Sequence, residues 1–166
     1  MGKCKRKNDL EKDVAQIYWL ILNLGRTQKK GKAPEKVKAV RCHESVRMFY
    51  NVLKNHGYRV EIVNGGYSLT DENMMQHSWV EYLVDDYGTS LIIETTPHLF
   101  FQDLSSEERV DKMVILPDDE RRQKYHPLQD DLFFEVLKRR RVKKINEQLV
   151  KDYTSLITRL INRKKS

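Results

Sequence analysis

The sequence predicts an α+β domain in which N-terminal helices, one of them packed on a small antiparallel sheet, precede a long C-terminal helix. Three observations predict it. Apolar residues recur at helical spacing before residue 56 and again after residue 131. Between those stretches the spacing changes to two in short runs, and the runs are separated by Gly, Asp and Pro clusters of turn composition. With 166 residues the chain suits one core rather than two. The expected organisation is a basic tail over residues 1–8, a core domain over 9–129 and a basic amphipathic helix over 130–166 packed on the core.

The first helix follows from Leu10, Val14, Ile17, Ile21 and Leu24, which form one stripe; Asn8 or Asp9 would cap it and Gly25 end it. Residues 26–36 have no apolar period and read as a loop. A second helix is expected from Cys42 to Asn55, with Val46, Phe49, Tyr50 and Leu53 inward and His56-Gly57 closing it. Tyr58, Val60 and Ile62 then alternate with Arg59 and Glu61 in a strand that should stop at Asn64-Gly65-Gly66. A second strand is expected over 77–84 and a third over 90–96, joined by the turn Asp85-Asp86-Tyr87-Gly88. Pro97 ends the third strand, and Ser105 with Glu108 has the form of a capping box. Leu132, Val136, Leu149, Tyr153, Ile157 and Leu160 predict the long terminal helix.

Charged residues make up 33% of the chain and hydrophobic ones 39%, which fits a folded, soluble protein rather than a disordered one. The net charge of +7 is concentrated in residues 3–7 and 139–144 and reads first as solvated tails and helix faces. Apolar residues interleaved along the terminal helix favour packing on the domain, or a protein partner, over nucleic acid. No apolar run approaches a membrane span and no signal-peptide cleavage site follows the first helix, so no membrane association is expected. Only Cys4 and Cys42 are present, which excludes a disulfide framework and indicates a reducing, cytoplasmic setting. No calcium-loop pattern is present, and no cofactor or metal is expected.

Cys42 would stand at the first turn of its helix, where unpaired backbone N–H groups and the helix dipole stabilise a thiolate. Alone, it reads first as a small buried hydrophobe, the usual fate of a free cysteine. Alternation puts His77, Trp79 and Glu81 on one face of the second strand, while Glu94 shares a face with Ile92 on the third. Pairing His77 with Glu94 centres the hairpin turn between Asp85 and Asp86, inside the segment its composition selects. A carboxylate can therefore stand beside the imidazole, and its apolar neighbours Leu91, Ile92 and Ile93 call for a partner. Tyr67 and Trp79 are candidates for lining a substrate cleft or for the core. His43 points about 100° away from Cys42 and is expected on the surface; His56 is expected at a helix end, and His98 and His126 in loops.

Cys42 beginning a helix, then Gly57-Tyr58-Arg59-Val60-Glu61-Ile62 with Asn64-Gly65-Gly66-Tyr67, then His77-Ser78-Trp79-Val80-Glu81-Tyr82, then Ile92-Ile93-Glu94-Thr95-Thr96-Pro97, resembles the transglutaminase-like superfamily, whose fold is of the papain type. The resemblance spans residues 37–97. It implies a Cys42-His77-Glu94 triad: the thiol attacks a carbonyl, the imidazole moves the proton, and the acid orients the ring. The family usually has aspartate where Glu94 stands. The Cys42 backbone N–H, with Gln76 as a second donor, is expected to form the oxyanion hole. The implied reaction passes through a thioester resolved by water or by an amine, with a peptide or protein substrate. The competing reading is an inactive module of the same fold, binding a protein or nucleic acid through its basic surface.

Overall fold

A computed structural model of the chain describes residues 7–27, 42–128 and 147–165, and it has the expected α+β class. Helix α1 (Lys7–Thr27) and helix α2 (Cys42–Asn55) precede strands β1 (Val60–Ser68), β2 (Met74–Leu83) and β3 (Ser90–Ile93). Two short helices, α3 (Pro97–Phe100) and α4 (Ser106–Asp111), lead to β4 (Val114–Ile115). A 3-10 turn, Glu120–Lys124, then delivers β5 (Tyr125–Pro127), and helix α5 (Glu147–Lys165) closes the described part. The strands form one antiparallel sheet in the order β4-β3-β2-β1-β5.

Each face of the sheet supports a different core. Val80, Tyr82, Leu91 and Ile93 point toward the helices and join Leu10, Val14 and Ile17 of α1, Phe49 and Leu53 of α2, and Tyr153 and Ile157 of α5. Val150, Tyr153, Ile157 and Ile161 of α5 thus belong to the protein's own core. The other face carries a smaller aromatic cluster of Tyr67, Trp79, Ile92, Ile115 and Tyr125, with Phe100 against it. Burial of these side chains drives the layering, and period-two alternation along β2 and β3 sorts residues between the two clusters. Tyr58 ties α1 to the start of β1 by donating to Asp13 Oδ2 at 2.6 Å, both side chains being buried.

Helix α2 has the expected bounds. Its end is a Schellman closure: Gly57 takes φ +86°, its N–H donates to Lys54 O, and the Tyr58 N–H donates to Leu53 O. The Ser105 N-cap also forms, with Ser105 Oγ accepting from the Glu108 N–H, but Glu108 Oε1 takes its hydrogen bond from the Ser105 hydroxyl instead of the backbone N–H a capping box uses. Helix α1 departs from expectation, since it starts at Lys7 and continues through Gly25 to Thr27. Glycine ends a helix only where the backbone turns to positive φ, and among the described residues Gly57 and Gly88 alone do so. Residues 1–6, most of the expected loop at 26–36 and the first half of the expected terminal helix lie outside the described residues.

The strand bounds also move. β1 does not stop at Asn64-Gly65-Gly66; it runs through them to Ser68, with Gly65 paired to His77 on one side and to Pro127 on the other. Here glycine marks close approach rather than a turn. A Cβ on Gly65 would collide with the His126 carbonyl of β5 and with the Trp79 ring. Gly66 faces the flexible side chain of Met74, which is more than half exposed. The β2–β3 register pairs Val80 with Ile93 and Glu81 with Ile92, so the turn is centred between Asp86 and Tyr87. The turn itself sets this position. Val84 N–H reaches Thr89 O, Asp85 Oδ1 accepts from the N–H groups of Tyr87 and Thr89, and Gly88 takes φ +89°.

The two neighbouring glycines should respond differently to alanine. Gly65→Ala must push β5 from β1 or distort Trp79, and should cost ~1–3 kcal/mol as an overpacking change. Gly66→Ala should cost clearly less, because Met74 can swing outward. Urea unfolding midpoints of the two variants check the contrast; equal losses would mean that the β1–β5 approach is not what requires glycine.

Candidate active site

The site forms where β3 leaves β2. After the Val80–Ile93 pair the two strands part, and β2 has no β3 partner alongside residues 77–79. The Glu94 N–H donates to Met113 O at 2.8 Å, which draws the chain toward β4, and Pro97 starts α3. The first turn of α2 lies at this fork. Ser45 Oγ donates to Thr95 O at 3.1 Å, and His43 Nδ1 stands 3.2 Å from Ser78 Oγ. Cys42 is the first residue of α2, and its side chain lies outside the described residues.

His77 and Glu94 are both fully buried, and His77 Nε2 lies 2.7 Å from Glu94 Oε2. Extending the observed register one step sets Glu94 across from Trp79, diagonal to His77 rather than directly opposite it. The slip from the expected pairing is two residues, so both side chains remain on one face. A diagonal neighbour is within reach of a long side chain, and glutamate spans the gap.

Four hydrogen bonds hold the carboxylate. Oε1 accepts from the Thr96 N–H and the Thr96 hydroxyl, each at 3.1 Å. Oε2 accepts from His77 and from the Tyr125 hydroxyl at 2.7 Å. A carboxylate offers about four acceptor positions, and four donors fill them here. With the carboxylate as acceptor, His77 donates through Nε2–H, and Nδ1 is the ring nitrogen not bonded to the acid.

Aromatic rings enclose the pair. Phe100 meets the His77 ring edge-on at 4.7 Å between centroids, Tyr67 does so at 5.9 Å, and Trp79 lies at 6.0 Å. Trp79 has no exposed surface, and its Nε1–H donates to Glu81 Oε1. Tyr67 is buried as well. Both therefore wall the imidazole from within the aromatic core, and neither lines an open cleft. Burial, then the Glu94 charge and hydrogen bond, push the Tyr125 hydroxyl well above the ordinary tyrosine range, so it remains a donor. Burial, followed by the Glu94 charge, raises Tyr67 also.

His43 is not on the surface as expected. It is half-buried in the seam between α2 and the helix-facing side of β2. Ser78 Oγ donates to Asn64 Oδ1 at 2.7 Å, so it accepts from His43 Nδ1–H. Burial, with contributions from His77 and Arg47, lowers the His43 pKa below the usual imidazole value. Gln76 occupies the same side of β2, and its Nε2 is buried with no hydrogen-bond partner among the described residues; the same holds for Thr95 Oγ1. Of the remaining histidines, His56 sits at the end of α2 as expected, its Nδ1 2.7 Å from Val52 O. His98 lies in α3 and His126 in β5, both in regular elements rather than loops.

The sequence reading missed Tyr125, Thr96 and the Ser78–Asn64 pair. Thr96 had a signal, since a threonine two residues after a buried acid is placed to bond it locally. Tyr125 had none: it comes from a three-residue strand 31 positions away. Among the described residues no group of three His, Cys, Asp or Glu side chains could hold a metal ion, and no helix is long and apolar enough to cross a membrane. Comparison with protein-family models, with curated proteins and with solved structures gave no match to this chain.

The two half-buried histidines of lowered pKa make stability pH-dependent. Burial is the main cause for His43 and for His98, whose ordinary value is 6.5. The folded state then binds fewer protons than the unfolded chain, so stability is lost as pH falls below about 6.5. The urea midpoint should drop between pH 7.5 and pH 5.5, and a His43→Asn, His98→Asn double variant should show a flatter drop. An unchanged slope would assign the acid sensitivity to other groups.

Proposed function

We propose that the chain is a cysteine-dependent acyl-transfer enzyme of transglutaminase-like type that hydrolyses a peptide or isopeptide bond. The observation that supports this reading most is the fully buried His77–Glu94 contact of 2.7 Å, beside the first turn of the helix that Cys42 begins. A buried imidazole locked in one tautomer by an acid is an arrangement suited to proton transfer. In this mechanism Cys42 Sγ gives its proton to His77 Nδ1 and attacks the carbonyl carbon. The tetrahedral intermediate collapses as the imidazolium protonates the leaving amine, leaving a thioester. Water, deprotonated by His77, then attacks the thioester, and the thiol leaves with the carboxylic acid as product.

The dipole at the α2 N-terminus favours a thiolate. The Cys42 N–H would serve the oxyanion, and Gln76 Nε2, a buried donor without a partner among the described residues, suits the second position. A reducing, cytoplasmic setting, read from the two cysteines, would keep such a thiol active. The substrate in this reading is a peptide or protein, with no cofactor. Transfer to an amine would differ only in which nucleophile reaches the thioester.

Thiol alkylation tests the proposal. At pH 7, Cys42 should react with iodoacetamide at least about tenfold faster than Cys4, as expected for a thiol of depressed pKa. His77→Ala should abolish that advantage, whereas His43→Ala should keep it. An inert Cys42, or reactivity confined to Cys4, would leave a binding module of the same fold as the better account.

A further inference from the structure

The proton of a triad histidine must be held loosely enough to move, and here something outside the triad bears on how tightly it is held. Glu94 Oε2 accepts from two donors at the same distance, His77 Nε2 and the Tyr125 hydroxyl, each at 2.7 Å. Tyr125 arrives from β5 at the far edge of the sheet, across β1, and also packs edge-on against Trp79 and Tyr67. It is buried, so water does not compete for its hydroxyl. We propose that Tyr125 is a positioning residue that sets the proton affinity of the His77–Glu94 pair by sharing the carboxylate oxygen that orients the imidazole.

The sign follows from charge. With His77 neutral, the pair carries one net negative charge on a carboxylate that has no exposed surface; with His77 protonated, the pair is neutral. A donor to Oε2 stabilises the first state more than the second, because a hydrogen bond strengthens with the charge on its acceptor. The tyrosine therefore lowers the affinity of the pair for its proton and keeps neutral imidazole available to receive one from a thiol. The same result holds wherever the shared proton resides, since the two groups titrate as a unit. Burial and the Glu94 charge keep the tyrosine itself protonated, so it acts as a fixed donor.

His43 on α2 and His98 on α3 are each held toward the neutral form by burial, and both feel the pair's charges. Tyr67 on β1 faces the same carboxylate, and Arg121, before β5, acts on both tyrosines with the opposite sign to Glu94. None of these has a hydrogen bond to Oε2 among the described contacts, which makes Tyr125 the specific lever.

This inference rests on the proposed triad, and its test separates the two. In Tyr125→Phe, the titration of the His77 ring followed by NMR should move upward by about one pH unit or more, the scale of one lost hydrogen bond to a charged group. Tyr67→Phe, which removes a hydroxyl from the same cluster, should move it much less. In the unsubstituted protein the Tyr125 hydroxyl proton should exchange slowly and shift as His77 titrates, a readout that survives if the Phe variant does not fold. A folded Tyr125→Phe protein in which His77 titrates as before, equal shifts in both variants, or a hydroxyl proton indifferent to His77 would overturn the inference. An inert Cys42 would instead sink the catalytic reading and leave the NMR outcome intact.

Discussion

The arrangement depends on a carboxylate held without any contact with water. An ionised side chain in such a place is sustained only if every acceptor position is filled, because an uncompensated buried charge costs several kcal/mol. Glu94 meets that condition with donors from three parts of the chain: Thr96 beside it, His77 on β2 and Tyr125 on β5. Each donor requires a piece of the fold. β3 must end at Ile93 so that the Thr96 N–H can turn back toward Oε1, and the chain must cross to the other edge of the sheet to deliver Tyr125. The segment from Pro97 to Lys124, with its two short helices, β4 and the 3-10 turn, is what carries it there.

The same departure of β3 opens a place for α2. A helix packed flat on a continuous sheet would keep its N-terminus on one side of the strands. Here the β2–β3 ladder ends at Val80, next to Trp79, and the first turn of α2 is fixed to both sides of the fork, through Ser45 to Thr95 and through His43 to Ser78. The N-terminal turn of a helix thus meets a strand that bears a buried imidazole. Ser45, a residue of no chemical interest on its own, is what couples the helix to the Glu94 segment.

Much of this was legible in the sequence. The bounds of α2 followed from its apolar stripe and Gly57, and the association of His77 with Glu94 followed from period-two alternation. The hairpin register was off by two residues, because four-residue turns place Asp85 and Gly88 in ways that composition does not separate. An even slip preserves the face, so the pairing of side chains survived the error. Asn64-Gly65-Gly66 misled for a different reason. Glycine at a turn and glycine under a neighbouring backbone look alike until β5, remote in sequence, is in place. His43 was misassigned because helical geometry gives its direction relative to Cys42, and only the tertiary seam shows that this direction is inward. Tyr125 illustrates the limit: a three-residue strand has no period to read.

The length of the acid side chain is consistent with this register. An aspartate at position 94, across from Trp79, would end one methylene short of a ring two residues along the partner strand. Glutamate covers the diagonal, and its extra bond also lets Oε1 fold back to Thr96 while Oε2 points forward to His77 and Tyr125. The longer acid at position 94 and the departure from direct cross-strand pairing therefore compensate each other. A shorter acid would need the register that the Asp85–Thr89 turn does not allow, so the turn chemistry and the choice of glutamate are one constraint expressed at two ends of the same hairpin.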